Sequence, residues 1–285
     1  MRFLLLINAL LCSLLLSNVA QASDTIVVRH YQHEARYQFG LKVLNLALSK
    51  LNKPYEIIGP KSQVVNEARG EAMVINGRYD LEVLSTTADR ESKMIPIKIP
   101  VYQGLLGLRL LLVTPQLNTE ISKVRNIDAL RQFIGGHGLH WADLGVYKAN
   151  NLKVVTAVNY DKLFEMLKKH RFDYFHRGAN EIWDELERYK NDFVIADNIM
   201  LYYPQPAYFF ISKHRPELAQ QIEQGLQLAI KDGSYKALFL SHYQDTIANA
   251  DLASRHLITL KNPTVPSDTP IIDTSWWLPQ HKLKP

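Results

Sequence analysis

Apolar positions along the chain fall into two alternating rhythms. Residues 25–28 form a β-branched run that reads as a strand, and Phe39, Val43, Ala47 and Leu51 then recur every four residues. With Leu44 and Leu48 beside them, they predict a helix with one buried face. Residues 55–58 read as a second strand, stopped by Gly59-Pro60. A helix over 64–76 leads through Gly77 to a third strand at 80–84. The rhythm restarts after Thr114-Pro115, with a short helix at 127–133, strands at 135–141, 154–156 and 172–176, and helices at 160–169 and 180–189. A strand at 208–211 precedes a helix at 216–231 that carries Leu218, Ile222 and Leu226 on one face and ends at Asp232-Gly233. Strands alternating with helices at this spacing predict right-handed crossovers and a mostly parallel sheet.

Two α/β units of similar rhythm predict two lobes, the first from residues 23–112 and 205–285, the second from 113–204. The apolar run 108–113 and the stretch 201–208 flank the second unit and are expected to cross between the lobes. A cleft between such lobes, at the carboxyl ends of the strands, is where a small ligand would sit. The proline-rich tail, 262–285, reads as an extended strap.

Residues 1–22 change the picture of where the protein works. Met1-Arg2 is a short positive region, residues 3–16 are apolar but short for a membrane span, and Ala20-Gln21-Ala22 is a small-x-small cleavage site. This predicts a cleaved signal peptide, a mature chain from Ser23, and a periplasmic protein. The single cysteine, Cys12, leaves with the leader, which excludes disulfides and thiolate chemistry from the mature chain. Losing Arg2 lowers the formal charge from +5 to +4, a mild excess spread along the sequence. Such a balance gives no basis for a nucleic-acid partner and weakly favours small anionic ones.

The third strand runs directly into polar chemistry. Val83-Leu84 is followed by Ser85, Thr86, Thr87 and Arg90, then by an apolar strand and Tyr102. On local grounds Thr87 reads equally as a helix N-cap and Arg90 as a helix-surface residue. In context, the segment "GRYDLEVLSTTADRESKMIPIKIPVYQG" resembles periplasmic solute-binding proteins of the polar amino-acid class (bacterial extracellular solute-binding protein family 3). The opening strand and helix, "IDALRQFIGGHGLHWADLGVYKANN" and "VNYDKLFEMLKKHRFDYFHRGANEI" extend the likeness over nearly all of the mature chain. The resemblance implies a two-lobed α/β fold of the type II periplasmic binding class. It also implies that Arg90 forks onto a ligand carboxylate, helped by Ser85 and Thr87, in a role that contributes little to the core.

Two departures from the family pattern shape the expected ligand. Where the family offers a Gly-Thr pair, this chain has His137-Gly138-Leu139-His140-Trp141. Where many amino-acid binders place a second aspartate after the one matching Asp173, the chain reads His176-Arg177-Gly178. A carboxylate or other anion without a free amine fits that change. The expected site is therefore Ser85, Thr87 and Arg90 from the first lobe, Tyr31 and Tyr102 as pocket walls, and His140, Trp141 and Arg177 from the second.

The resulting reading is a monomeric solute-binding protein that closes on a small anionic ligand for uptake or sensing, with an ABC permease or a membrane sensor as partner and no cofactor. Two alternatives come from other classes. The first is a dehydratase-like enzyme on the same fold, with His140, His176 or Glu181 as acid or base. The second is a metal-binding protein using His30, His33, His137 and His140, whose loose spacing reads more simply as ordinary loop histidines. The carboxylates of the 180–189 helix, including Glu181 and Glu185, read as a solvated face.

Overall fold

The computed structural model describes residues 25–33, 35–60, 65–270, 272–275 and 277. The expected signal peptide and its cleavage site, together with Trp276, lie outside the described residues. Among the described residues no helix is long and apolar enough to cross a membrane.

The smaller layer begins with β1 (Ile26–Arg29) and β2 (Tyr55–Ile58), which pair in parallel with Ile26 opposite Tyr55. A second piece has β3 (Leu81–Ser85), β11 (Ala207–Ile211) and β4 (Ile95–Ile97), with β11 antiparallel to both neighbours. Two bridges join the pieces. Asp80 N–H donates to Arg29 O at 2.9 Å. Further along, the Gln32 carboxamide donates to Val83 O at 3.0 Å and accepts from Val83 N–H at 2.8 Å, so a side chain continues the ladder where the β1 backbone turns away.

Every residue of β11 is buried, because both faces of this layer are covered. Phe209 and Ile211 share a core with α1 (Gln38–Ser49) and α9 (Pro216–Lys231). Tyr208 and Phe210 face the other way, into a cluster with Met73 and Val74 of α2 (Glu67–Ile75). The apolar stripe of α1 lies against α9 as the periodicity predicts, with Phe39 at its start packed on Phe239 and Tyr243. Contact there is backbone to backbone: a Cβ at Gly225 would stand 2.1 Å from Ala47 O. Gly225→Ala must push the two helices apart, and we expect it to cost about 1–3 kcal/mol in thermal or urea denaturation.

The larger sheet has the order β12-β10-β5-β8-β6-β7, with β9 (Val194–Ile195) also on β5. Its members are β5 (Leu108–Val113), β6 (Gly135–Gly138), β7 (Val154–Ala157), β8 (Tyr174–Gly178), β10 (Ile199–Tyr202) and β12 (His256–Thr259). β6 pairs in parallel with β7 and β8, and β10 with β12, whereas β5 is antiparallel to β8, β9 and β10. The pairing is thus mixed, where a mostly parallel sheet was expected, because β5 and β11 enter their sheets against the local direction. The sheets also divide the chain differently from the lobes read in the sequence. β5, read as crossing between the lobes with its first five residues in 23–112, and β12, assigned to 205–285, both hydrogen-bond into the larger sheet.

The two crossing segments meet side by side at the base of the cleft. Tyr203 N–H, just after β10, donates to Gly107 O, just before β5, at 3.1 Å. Pro204 and Pro206 then end the pairing before β11 begins. The strap after β12 reaches both sides of this junction. Asn262 donates to Pro204 O at 2.7 Å, and Trp277 Nε1–H donates to Gln103 O at 3.0 Å.

Candidate functional site

β3 and β8 end at the same cleft, which encloses about 90 Å³ between the two sheets. Four guanidinium groups line it, from Arg36, Arg90, Arg109 and Arg177. Arg90, Arg109 and Arg177 pair with carboxylates of the protein itself.

The Arg90 cradle begins with helix α2. Asn66 caps it by accepting from Arg69 N–H at 2.9 Å, which sets the first turn. Gly70 sits on the ring of Tyr31, so close that a Cβ would fall 2.0 Å from it. This lowers the helix onto β3 and brings Glu67 and Glu71, one turn apart on one face, to the guanidinium. Arg90 Nη2 donates to Glu67 at 2.7 Å, Nε to Glu71 at 3.1 Å, and Nη1 to Ser85 O at 2.9 Å. Burial opposes the charge on Arg90, but the two glutamates more than offset it and raise its pKa. The fork expected to hold a ligand carboxylate therefore holds carboxylates of α2.

Beneath it Glu82 is fully buried and accepts a 2.5 Å hydrogen bond from Tyr31. Burial pushes its carboxyl up from an ordinary 4.5 to about 8, against the pull of that hydrogen bond. Glu82 is therefore protonated in the native state at neutral pH. Its stabilising contribution is fully present below about pH 4.5, shrinks as the unfolded chain loses its proton, and is gone once the pH rises through about 8. Glu82→Gln should flatten this fall, and melting curves of both proteins between about pH 5 and pH 9 check it.

The second lobe repeats the arrangement. Arg109 Nη2 donates to Asp143 at 2.9 Å and to Gln205 at 3.0 Å. Burial alone would raise the Asp143 carboxyl, but Arg109 and then His137 hold it well below the usual range. Arg177 Nε donates to both oxygens of Glu185 at 2.7 and 2.8 Å, and Nη2 lies 3.0 Å from Glu181. Its guanidinium carbon stands 4.9 Å from the centre of the Trp141 ring, within cation–π range. Gln205 links the lobes by donating to Ser85 Oγ at 3.1 Å.

Of the residues singled out in the sequence, Ser85, Arg90, Tyr102, Trp141 and Arg177 line the cleft. Three do not. Tyr31 is packed beneath α2, because Gly70 leaves room for its ring there. Thr87 caps α3 (Ala88–Lys93), its hydroxyl accepting from Arg90 N–H at 3.2 Å. His140 is exposed, past the end of β6 and outside the lining. Glu181 and Glu185, read as a solvated face, are instead turned inward onto Arg177, and Glu185 is buried. The histidines are dispersed: His30 and His137 are buried, and no group of three or more His, Cys, Asp or Glu among the described residues is placed to hold a metal.

Arg109, Asp143, Asn180, Glu181 and Gln205 were not assigned to the ligand site from the sequence, and all line the cleft. One signal was available, since Arg109 interrupts the otherwise apolar run 108–113, and an arginine inside a buried strand needs a partner.

The fold has counterparts among solved structures. An amino acid ABC transporter substrate-binding protein from Streptococcus pneumoniae, bound to L-arginine, superposes with a TM-score of 0.57 at 16% identity, covering 78% of this chain and 95% of that one. A Salmonella typhimurium periplasmic binding protein of high arginine specificity gives 0.57 at 15% identity, over 77% and 99%. An ancestral amino acid-binding protein, a precursor of cyclohexadienyl dehydratase, gives 0.54 at 16%, over 77% and 95%. The chain has the two-lobed substrate-binding-protein fold. No family model and no curated protein matches the chain. In this binding-protein fold the cleft just described lies between the two sheets, and its charged groups come from both.

Proposed function

We propose that the protein is a solute-binding protein whose lobes close on a small ligand in the cleft. It would work in the periplasm and deliver the ligand to an ABC permease or present it to a membrane sensor. The observation that carries this reading is the cleft itself. It is lined by charged groups from both sides, lies where β3 and β8 end, and is spanned by two chain crossings that run side by side from the β5–β10 pairing to the Tyr203–Gly107 hydrogen bond. Such a junction permits hinge motion, and a ligand that binds the closed form better shifts the balance towards it. The solved proteins of this fold named above bind amino acids, which supports a ligand of that size.

The expected anionic ligand rested on Arg90 and on the replacement of a second aspartate by the His176-Arg177-Gly178 segment, and that support is gone because Glu67 and Glu71 occupy the Arg90 guanidinium and Glu181 and Glu185 that of Arg177. The dehydratase alternative is weaker in this geometry. Of its acid-base candidates, His140 is exposed outside the cleft and His176 is sealed in the core with no partner on either ring nitrogen. Only Glu181 reaches the lining, and it is paired with Arg177. A thermal-shift screen of the mature protein against amino acids, amines, carboxylates and sugars tests the reading. A true ligand at about a hundredfold its Kd adds about 2.7 kcal/mol to stability and raises Tm visibly. A flat response to every class would remove the solute-binding proposal.

A further inference from the structure

The strap after β12 ties the two lobes together a third time. Its start is fixed to the lobe of the larger sheet. Lys261 N–H donates to Asn150 Oδ1 at 3.0 Å, and the Asn150 amide donates back to Lys261 O at 2.7 Å, at the end of the helix Leu144–Ala149. Thr264 then rests on Gly145 of that helix, where a Cβ would stand 2.7 Å from its methyl carbon. The far end is fixed to the other lobe. Ile272 and Thr274 cover Gly104, and Trp277 donates to Gln103 O with its ring 6.1 Å from that of Phe239. Thr274 and Trp277 are buried, so this end is held by packing.

Between the two ends lies an attachment of a different kind. Lys98 Nζ, just after β4, stands 2.7 Å from Asp268 and 3.0 Å from Glu91. The Asp268 side chain is 72% exposed and that of Lys98 29%, so the pair is hydrated and sensitive to salt. Glu91 accepts from Thr86 Oγ1 at 2.6 Å, and Thr86 N–H donates to Pro206 O at 2.9 Å. The ion pair therefore fastens the strap to the point where β3 reaches the cleft and the second crossing passes it.

This one contact sets the slack. With Asp268 held, four residues separate it from Thr264, a reach of at most about 14 Å. With Asp268 free, the next described contact is Ile272, eight residues from Thr264, and the reach doubles to about 28 Å.

We propose that the strap is a releasable check on the hinge, latched by the Lys98–Asp268 pair, that limits how far the lobes swing about their junction. This rests on the solute-binding reading, which supplies the hinge, and adds a control of its amplitude. Restricting the swing narrows the set of open arrangements from which a ligand must draw the lobes together.

The test reads the distance between the lobes. The one cysteine, Cys12, lies in the expected leader, so two spin labels can be placed in the full mature chain without background. Ala68→Cys on α2 and Val158→Cys after β7 put one exposed label on each lobe. Pulsed dipolar spectroscopy is run in about 0.1 M and about 1 M salt, between which the screening length falls from about 10 Å to about 3 Å. The latched parent should give one narrow peak at low salt and a broader distribution at high salt. Asp268→Ala should be broad at both, with distances about 5 Å or more from the parent peak, because the freed span gains about 14 Å of reach. It should melt where the parent does, since an exposed pair adds little. An Asp268→Ala distribution as narrow as the parent's, or a parent unmoved by salt, would overturn the proposal. Neither result touches the solute-binding reading, which the thermal-shift screen decides by itself.

Discussion

Arg177→Ala should lower the stability of the protein by about 3–5 kcal/mol, the usual cost of removing one member of a buried ion pair. Arg177 is 4% exposed and Glu185 5%, so neither is relieved by water. Without the guanidinium, Glu185 would keep only the hydrogen bond from Tyr160, at 2.5 Å, and Glu181 would lose its partner. Trp141, Tyr160 and Phe175 would also lose the cation lying over their rings. For a chain of this size the loss corresponds to a fall in Tm of about 6–20 °C. Replacing both members, as Arg177→Met with Glu185→Leu, should recover much of it, because two well-packed apolar side chains leave no charge unpaired. Melting curves of the three variants decide this. A single Arg177→Ala as stable as the parent would mean that the pair contributes nothing.

Arg90→Ala should cost somewhat less, about 2–4 kcal/mol, since Glu67 and Glu71 retain part of their hydration. The effect has the same origin. Glu67 and Glu71 would face each other across one helical turn without the charge that holds both, above the buried Glu82. The Ser85 carbonyl would lose its donor as well. Lysine should restore only part of the loss, because one ammonium cannot reach the three acceptors that the planar guanidinium spans. This outcome runs against the role expected from the sequence, in which Arg90 serves the ligand and leaves the fold untouched.

Why the sequence carried some of this and not the rest is a matter of how local each signal is. The α1 stripe, β2, β5 and α9 were legible because apolar period and turn residues are written within a dozen positions. α10 (Ser234–Asn249) and β12 were not assigned. The helix hides its apolar face among Tyr235, Phe239 and Tyr243, with no strong period, and the strand is only half-buried. The position of Arg90 at the cleft was legible from the strand-hydroxyl-arginine order. Its partners were not, since Glu67 and Glu71 belong to a helix that reaches Arg90 only because Gly70 fits over Tyr31. The same holds for Glu185. Its place on a helix was visible, and the face it turns inward depends on Arg177 eight residues earlier. Pairings between distant segments decide which charges remain for a ligand, and those pairings are set by packing.

The central claim is that Arg90 serves the protein's own carboxylates and not a ligand's. It is tested most directly by titrating agmatine and L-arginine into the parent protein and into Arg90→Lys, and comparing the ratio of the two affinities in each. Both ligands share every group except the carboxylate, so disturbance of the cleft by the substitution cancels in the ratio. The account predicts a ratio unchanged within about threefold, whatever happens to the individual affinities, together with a lowered Tm. A shift of more than about tenfold in favour of agmatine, which is about 1.4 kcal/mol of lost carboxylate binding, would show that Arg90 holds the ligand and would contradict the account.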